Sequence, residues 1–224
     1  ALEELHTTGY LHRDVKPSNF SMGRLIETQK TVFLLDFGLS RLFMGPDLKL
    51  RPARKYAGFR GTVRYCTIAC HKGLELGRHD DLKMVMYMLL EFIKGTLPWK
   101  NLKDKKMVEE LKEQTSESAF DDCPPEFKKM WKHVNQLKYE EKPRYQYCIK
   151  QLKVVMKRKG YRCSDPFDWE EGGIGFKYSR SQHERDKPNE NKNKDNTTNA
   201  FLQEVNVEDA TEAPAINEEI CCSL

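Results

Sequence analysis

Residues 12–19 constrain this 224-residue chain more than any other stretch. They read His-Arg-Asp-Val-Lys-Pro-Ser-Asn, and the proline disfavours a continuous helix. Transfer of a phosphoryl group needs a proton acceptor for the attacking hydroxyl, and cations or metal that meet the charge on the phosphoryl oxygens. Asp14 can accept the proton, Lys16 can reach the phosphate, and Asn19 can offer an oxygen to a magnesium ion. The stretch therefore predicts a loop that handles phosphate.

A second candidate metal ligand follows an apolar run. Residues 32–35 are Val-Phe-Leu-Leu and predict a short buried strand, so that Asp36 is delivered at the strand end as an oxygen ligand. Gly38 then frees the backbone to turn. For any single residue here the simpler interpretation is a turn former, because Asp and Asn near a proline usually have that role. Turn formation does not explain Lys16 two residues after Asp14, or a second aspartate at a strand end.

These two stretches, in this order and about 20 residues apart, resemble the catalytic loop and the metal-binding Asp-Phe-Gly motif of eukaryotic protein kinases. Four later motifs extend the resemblance: Ala57-Gly-Phe-Arg-Gly-Thr-Val-Arg-Tyr65, Gly77-Arg-His-Asp-Asp-Leu82, Gly95-Thr-Leu-Pro-Trp99 and Phe167-Asp-Trp-Glu170. With them the chain is similar to the casein kinase 1 group, which lacks the Ala-Pro-Glu motif, and most similar to its tau-tubulin kinase branch. The similarity covers residues 1–170.

The resemblance implies a mainly α fold, namely the large C-terminal lobe of a protein kinase with a short β-hairpin region at the catalytic and metal-binding loops. Residues 1–8 are interpreted as the end of a helix that stops at Gly9. The glycine-rich turn and the strand lysine of a small lobe are not found in the sequence, so residues 1–176 are expected to be the large lobe alone. Residues 177–224 are polar and are expected to form a disordered tail.

The resemblance also assigns roles to individual residues. It implies that Asp14 and Lys16 are catalytic and that Thr62 hydrogen-bonds both. ATP is expected to be held through Lys16, Asn19 and Asp36, with Mg²⁺ on Asn19 and Asp36. Asp81 is implied to cap the catalytic loop. The expected substrate-binding residues are Arg60, Arg64 and Lys103.

Charge is distributed unevenly. Residues 1–176 contain 32 Lys and Arg against 24 Asp and Glu, a formal charge of +8, whereas residues 177–224 carry −4. Five cations precede or flank Thr62 and favour acidic or phosphorylated peptides: Arg51, Arg54, Lys55, Arg60 and Arg64. A solvated basic face and weak nucleic-acid binding are the alternatives. No nucleic-acid partner is expected, because no nucleic-acid module accompanies the charge.

The predicted function is a serine/threonine protein kinase that uses ATP and Mg²⁺ on acidic or primed protein substrates, with cytoskeletal proteins among the candidates. The alternative is a truncated or catalytically inactive module that binds phosphoproteins. Seven cysteines without metal-ligand spacing indicate reduced thiols of an intracellular protein, in the cytoplasm or the nucleus, and a monomer is expected. The last four residues, Cys221-Cys-Ser-Leu224, have the position of a prenylation box. Their acidic flank argues against a membrane partner.

Apolar spacing predicts four further helices. An apolar run at residues 84–90, with Phe92 and Ile93 beyond it, predicts a buried central helix. Residues 104–113 predict a helix with Met107, Val108 and Leu111 inside and its lysines outside. Pro124 and Pro125 open a third, with Phe127, Met130, Trp131 and Val134 on its inner face. The fourth follows Pro143, has Ile149, Leu152 and Val155 or Met156 facing the core, and ends at Gly160.

Overall fold

The computed structural model describes residues 1–25, 27–173 and 176. Within the described part, Ala1–Gly160 form one compact unit and a second unit begins at Tyr161. The first unit is mainly helical, with α1 (Leu2–Thr7), α2 (Ile68–His71), α3 (Arg78–Lys94), α4 (Lys105–Thr115), α5 (Pro125–Asn135) and α6 (Tyr145–Lys159). Its short strands are β1 (Tyr10–Leu11), β2 (Phe20–Met22), β3 (Val32–Leu34) and β4 (Arg41–Leu42).

Two small antiparallel sheets frame residues 12–19. Strand β1 pairs with β4, and β2 pairs with β3 in the predicted hairpin, with Phe20 opposite Leu34. Pro17 begins a single 3₁₀ turn (Pro17–Asn19), so the proline limits helical structure to one turn and does not prevent it. The loop that holds the candidate catalytic residues is thus fixed by strand pairing on both sides.

The core lies between α3 and α5. Tyr87 packs edge-on against Trp99 at a centroid distance of 5.1 Å, and Trp131 stacks on Phe120 at 5.0 Å. Burying each of these rings contributes about 1.5–3 kcal/mol or more. The predicted inner face of α5 is confirmed, because its four predicted apolar residues are all buried: Phe127, Met130, Trp131 and Val134.

Several burial predictions were wrong. The last turn of α3 is exposed, with Phe92 at 62%, and strand β3 is only partly covered, with Phe33 at 43%. In α4 the predicted faces are partly reversed: Met107 is 53% exposed, whereas Lys112 has no exposed surface. Position 112 lies one helical turn after the buried Val108, so the geometry of the helix decides which side chain is covered.

The described part of the second unit is a series of turns, one of which spans residues 167–170. The amide of Phe167 donates to the carboxylate of Glu170 at 2.8 Å, and the Phe167 and Trp169 rings stack at 4.9 Å. The predicted tail, residues 177–224, and the prenylation-like box both lie outside the described residues. In the described part of the chain, no helix is long and apolar enough to cross a membrane.

Candidate active site

A buried carboxylate supports the loop of residues 12–19. Asp81, in the first turn of α3, accepts hydrogen bonds from the backbone amides of His12 at 2.7 Å and Arg13 at 2.8 Å. His6 Nε2 donates to the same carboxylate at 2.9 Å, and His6 Nδ1 pairs with the Tyr145 hydroxyl at 2.6 Å. The implied capping role of Asp81 is confirmed.

Arg13 adopts a left-handed backbone conformation, with φ of 68°. This conformation is costly for a residue with a side chain, so other contacts must hold it. Asp81 holds the Arg13 amide, and the Arg13 Nε donates to the carbonyl of Leu39 at 2.7 Å.

Asp14, Lys16 and Thr62 form one hydrogen-bonded group. The Thr62 hydroxyl donates to Asp14 Oδ1 at 2.8 Å, and Lys16 Nζ donates to Asp14 Oδ2 at 2.6 Å. Lys16 Nζ also lies 3.3 Å from the Thr62 hydroxyl. Gly61 permits this approach, because at its φ of 111° a Cβ would lie 2.8 Å from the Arg13 carbonyl oxygen.

The hairpin brings Asn19 next to Asp36. The amide of Leu35 donates to the carbonyl of Asn19 at 2.8 Å, so Asp36 follows directly beside it. Asn19 Nδ2 donates to the carbonyl of Asp14 at 2.9 Å, which leaves the Asn19 carboxamide oxygen as the acceptor available to a cation. Asp36 has φ of 61°, and its Oδ1 accepts the Gly38 amide at 3.2 Å.

This donor set fits a magnesium ion that also binds phosphate. Mg²⁺ is usually held by one or two protein oxygens, with waters and substrate phosphates completing its shell. Asn19 and Asp36 supply such a pair. Among the described residues no cluster of three or more His, Cys, Asp or Glu side chains could hold a metal by itself. Waters or substrate phosphates would complete the shell of an ion held by Asn19 and Asp36.

A buried acid, Glu75, pairs with two of the arginines that precede Thr62. Glu75 lies 3.3 Å from Arg41 Nε, and two nitrogens of the Arg54 guanidinium donate to the Glu75 carboxylate. Burial, together with the charge of Arg41, lowers the pKa of Arg13. Arg60 is exposed, and its guanidinium has no ion pair with any residue that the structure describes.

The three predicted substrate-binding residues lie in different environments. Arg64 is paired with Glu91 at 3.3 Å, and the hydroxyl of Tyr65 hydrogen-bonds to the same carboxylate. Lys103 is exposed in the loop before α4. The structure thus assembles Asp14, Lys16 and Thr62, and brings Asn19 next to Asp36. It ties Arg64 to an acid that the sequence analysis did not consider.

The sequence analysis also missed Lys112. Its Nζ donates to the carbonyls of Val63 and Cys66, both at 2.7 Å, and lies 3.3 Å from His71 Nε2. Burial lowers the pKa of Lys112 to about 8. Burial, followed by the charge of Lys112, lowers the pKa of His71 to about 4. Helical spacing is the signal that could have predicted the burial of Lys112, because this residue shares a helix face with Val108 and Leu111.

With this geometry established, comparison with known proteins identifies the family. The protein kinase domain matches residues 1–162, and the chain belongs to that family. A Dictyostelium discoideum protein named as a serine/threonine-protein kinase is 43% identical over 171 residues, which are 76% of this chain and 34% of that protein. A Caenorhabditis elegans protein with a similar name is 38% identical over 174 residues, 75% of this chain and 50% of that protein. The chain spans about a third to a half of these relatives.

Proposed function

We propose that this chain carries the phosphoryl-transfer centre of a serine/threonine protein kinase. The observation that carries the proposal is the carboxylate of Asp14, held by Lys16 on one oxygen and by Thr62 on the other. Two hydrogen bonds fix the orientation of a general base before the substrate arrives, which is how positioned groups lower a barrier.

In this mechanism Asp14 orients the acceptor hydroxyl and takes its proton. Lys16 is fixed beside Asp14 and meets the negative charge that develops on the transferred phosphoryl group. Thr62 keeps both side chains in place and acts as a positioning residue. A magnesium ion bound by Asn19 and Asp36 would supply charge neutralisation at the phosphates of ATP.

We further propose that the chain is nearest to the tau-tubulin kinase branch of the casein kinase 1 group and represents the large lobe. The motifs around Thr62, Asp81 and Trp169 support this assignment. Phe33, Leu35 and Phe37 are exposed beside the proposed metal ligands and offer an apolar surface to a small lobe. Acidic proteins, including cytoskeletal ones, are the proposed substrates, because Arg60, which precedes Gly61, and Lys103 are exposed cations.

A second candidate is a module that binds phosphoproteins without catalysis. The observation that favours it is that Arg41 and Arg54 share the single carboxylate of Glu75, which can neutralise only one of the two charges. The charges of both arginines also act on nearby Arg13, so the group keeps an excess of positive charge. Clustered guanidinium groups are the usual partners of phosphate. In this case phosphopeptides would be retained and no phosphate transferred.

The test is transfer of phosphate from magnesium ATP to casein. It uses the 224-residue chain and the full-length natural protein, each as wild type, as Asp14→Asn and as Asp122→Asn. Asp122 is an exposed acid far from Asp14 in the sequence and serves as the matched control. We expect transfer by the full-length wild type and the Asp122→Asn variant, and a loss of at least about a hundredfold in Asp14→Asn.

A second measurement does not depend on activity. Binding of manganese ATP, followed by water proton relaxation, should weaken in Asp36→Asn and stay unchanged in Asp122→Asn. Full-length protein that retains phosphopeptides but transfers no phosphate would overturn the kinase proposal and favour the binding module.

A further inference from the structure

The turn after Thr62 presents two side chains to one acid. Arg64 NH1 lies 3.3 Å from Glu91 Oε1, and the Tyr65 hydroxyl donates to Glu91 Oε2. The Glu91 side chain is 13% exposed and that of Arg64 is 39% exposed. Burial, with the hydrogen bond to Glu91, raises the pKa of the Tyr65 hydroxyl, so this group remains a donor. Both oxygens of Glu91 are therefore engaged.

The backbone that carries each member of this pair is held by other contacts. The carbonyl of Arg64 accepts from Trp99 Nε1 at 2.7 Å, and the preceding carbonyl, of Val63, accepts from Lys112 at 2.7 Å. Glu91 lies in the last turn of helix α3, which ends at Lys94. The backbones that carry Arg64 and Glu91 are thus held in place by other contacts, with the two side chains within reach of each other.

Arg64 is close in sequence and structure to the proposed centre. The amides of Tyr65 and Cys66 both donate to the carbonyl of Thr62, at 3.0 and 2.9 Å, so residues 62–66 form one compact turn. The Thr62 side chain at the start of this turn contacts Asp14. A peptide whose hydroxyl reaches Asp14 would pass this turn.

We infer that Glu91 is a specificity-determining residue, whose carboxylate holds the guanidinium of Arg64 and opposes the binding of a phosphorylated substrate residue there. The inference rests on the proposed function, because it requires a peptide to lie along residues 60–65. A phosphate group binds best to a guanidinium that offers two parallel N–H donors. In this chain one of those nitrogens is already engaged, and an arriving phosphate would meet the like charge of Glu91.

The inference separates two kinds of acidic substrate. Carboxylate side chains of a peptide can be attracted by the exposed cations around the turn without displacing Glu91. A phosphoserine that depends on Arg64 must compete with Glu91. Removing the charge of Glu91 should therefore create or strengthen a preference for phosphate at one position of the peptide.

The test is a binding measurement without ATP. Fluorescence anisotropy is recorded with a set of serine peptides in which a single phosphoserine is moved one position at a time, against the unphosphorylated peptide. The proteins are the wild type, Glu91→Gln, Arg64→Met, the double variant, and Glu110→Gln. Glu110 is an exposed acid on α4 and controls for the loss of one negative charge. Glutamine at position 91 can still accept the Tyr65 hydroxyl, and thermal unfolding verifies that each variant is folded.

We expect Glu91→Gln to raise the preference for phosphoserine about tenfold at one peptide position, the effect of one charge-assisted hydrogen bond. The gain should disappear in the double variant and be absent in Glu110→Gln. The inference is overturned if Glu91→Gln changes no preference, if Glu110→Gln produces the same gain, or if no variant binds any peptide. Peptide binding that follows the expected pattern in a protein that transfers no phosphate would instead refute the kinase proposal alone.

Discussion

The carboxylate of Asp81 accepts a hydrogen bond from the backbone amide of Arg13 at 2.8 Å, although the two residues are 68 positions apart in the chain. The same carboxylate holds the amide of His12 and the ring of His6. Because Asp81 is fully buried in the first turn of α3, this helix fixes the backbone that leads to Asp14.

This relationship predicts the effect of Asp81→Asn. Asparagine replaces one of the two acceptor oxygens of Asp81 by an NH2 group, which can only donate. At least one of the buried donors on this carboxylate, the amides of His12 and Arg13 or the ring of His6, therefore loses its acceptor. We expect a loss of about 1–3 kcal/mol in the free energy of unfolding, measured by urea denaturation. Asp104→Asn is the control, since Asp104 caps helix α4 through a single acceptor and asparagine caps equally well. Equal stabilities of the two variants would contradict the proposed support.

The contact of Gly61 with residue 13 predicts a second effect. Gly61→Ala places a methyl group 2.8 Å from the Arg13 carbonyl oxygen, which forces the Thr62 turn away from Asp14. Gly160→Ala is the control, because Gly160 also has a positive φ, of 75°, but its Cβ would meet no atom within 4 Å. Both variants should lose about 1 kcal/mol from strain. Gly61→Ala alone should lose more stability than this. It should also lose any phosphate-transfer activity that the protein has. A phosphotransfer rate in Gly61→Ala equal to that of Gly160→Ala would argue against the close approach.

Buried Lys112 predicts a stability that rises with pH. Burial lowers its pKa in the folded chain to about 8, from an ordinary value of 10.5. Between these values the unfolded chain binds more protons, so the free energy of unfolding increases with pH by up to about 3 kcal/mol. Urea denaturation from pH 7 to 10.5 should show this rise in the wild type and in Lys106→Met, an exposed control. It should be reduced in Lys112→Met, and an unchanged slope there would refute the assignment.

His71 predicts how the stability of the chain changes at the acidic end of the pH range. Its folded-state pKa is lowered to about 4, from 6.5, chiefly by burial and then by Lys112 and Lys105. The unfolded chain therefore takes up a proton first, and stability should be lost as the pH falls from 6.5 towards 4. Replacing His71 by Gln should flatten this part of the stability profile. If wild type and variant lose stability in parallel over this range, another group is responsible.

Short-range patterns in the sequence predicted a large part of the site. Asp14, Lys16 and Asn19 lie within one loop, and Asp36 directly follows strand β3. The positions of these side chains therefore depend mainly on residues that are close in the sequence. The faces of α5 were predicted for the same reason, because helical periodicity depends only on positions three or four apart. The resemblance carried by residues 57–65 added Thr62, whose contact with Asp14 spans 48 residues.

Only the tertiary structure decided which charges meet. Lys112 was expected outside because lysine is usually exposed, yet it lies under the carbonyls of Val63 and Cys66. Arg64 was expected to bind an anionic group of the substrate, yet in the folded chain it pairs with Glu91, which lies 27 positions later. Sequence alone determined which polar groups residues 12–19 bring together, since covalent spacing places them in one loop. Helix packing decided burial and charge pairing, because both depend on which distant surfaces come into contact.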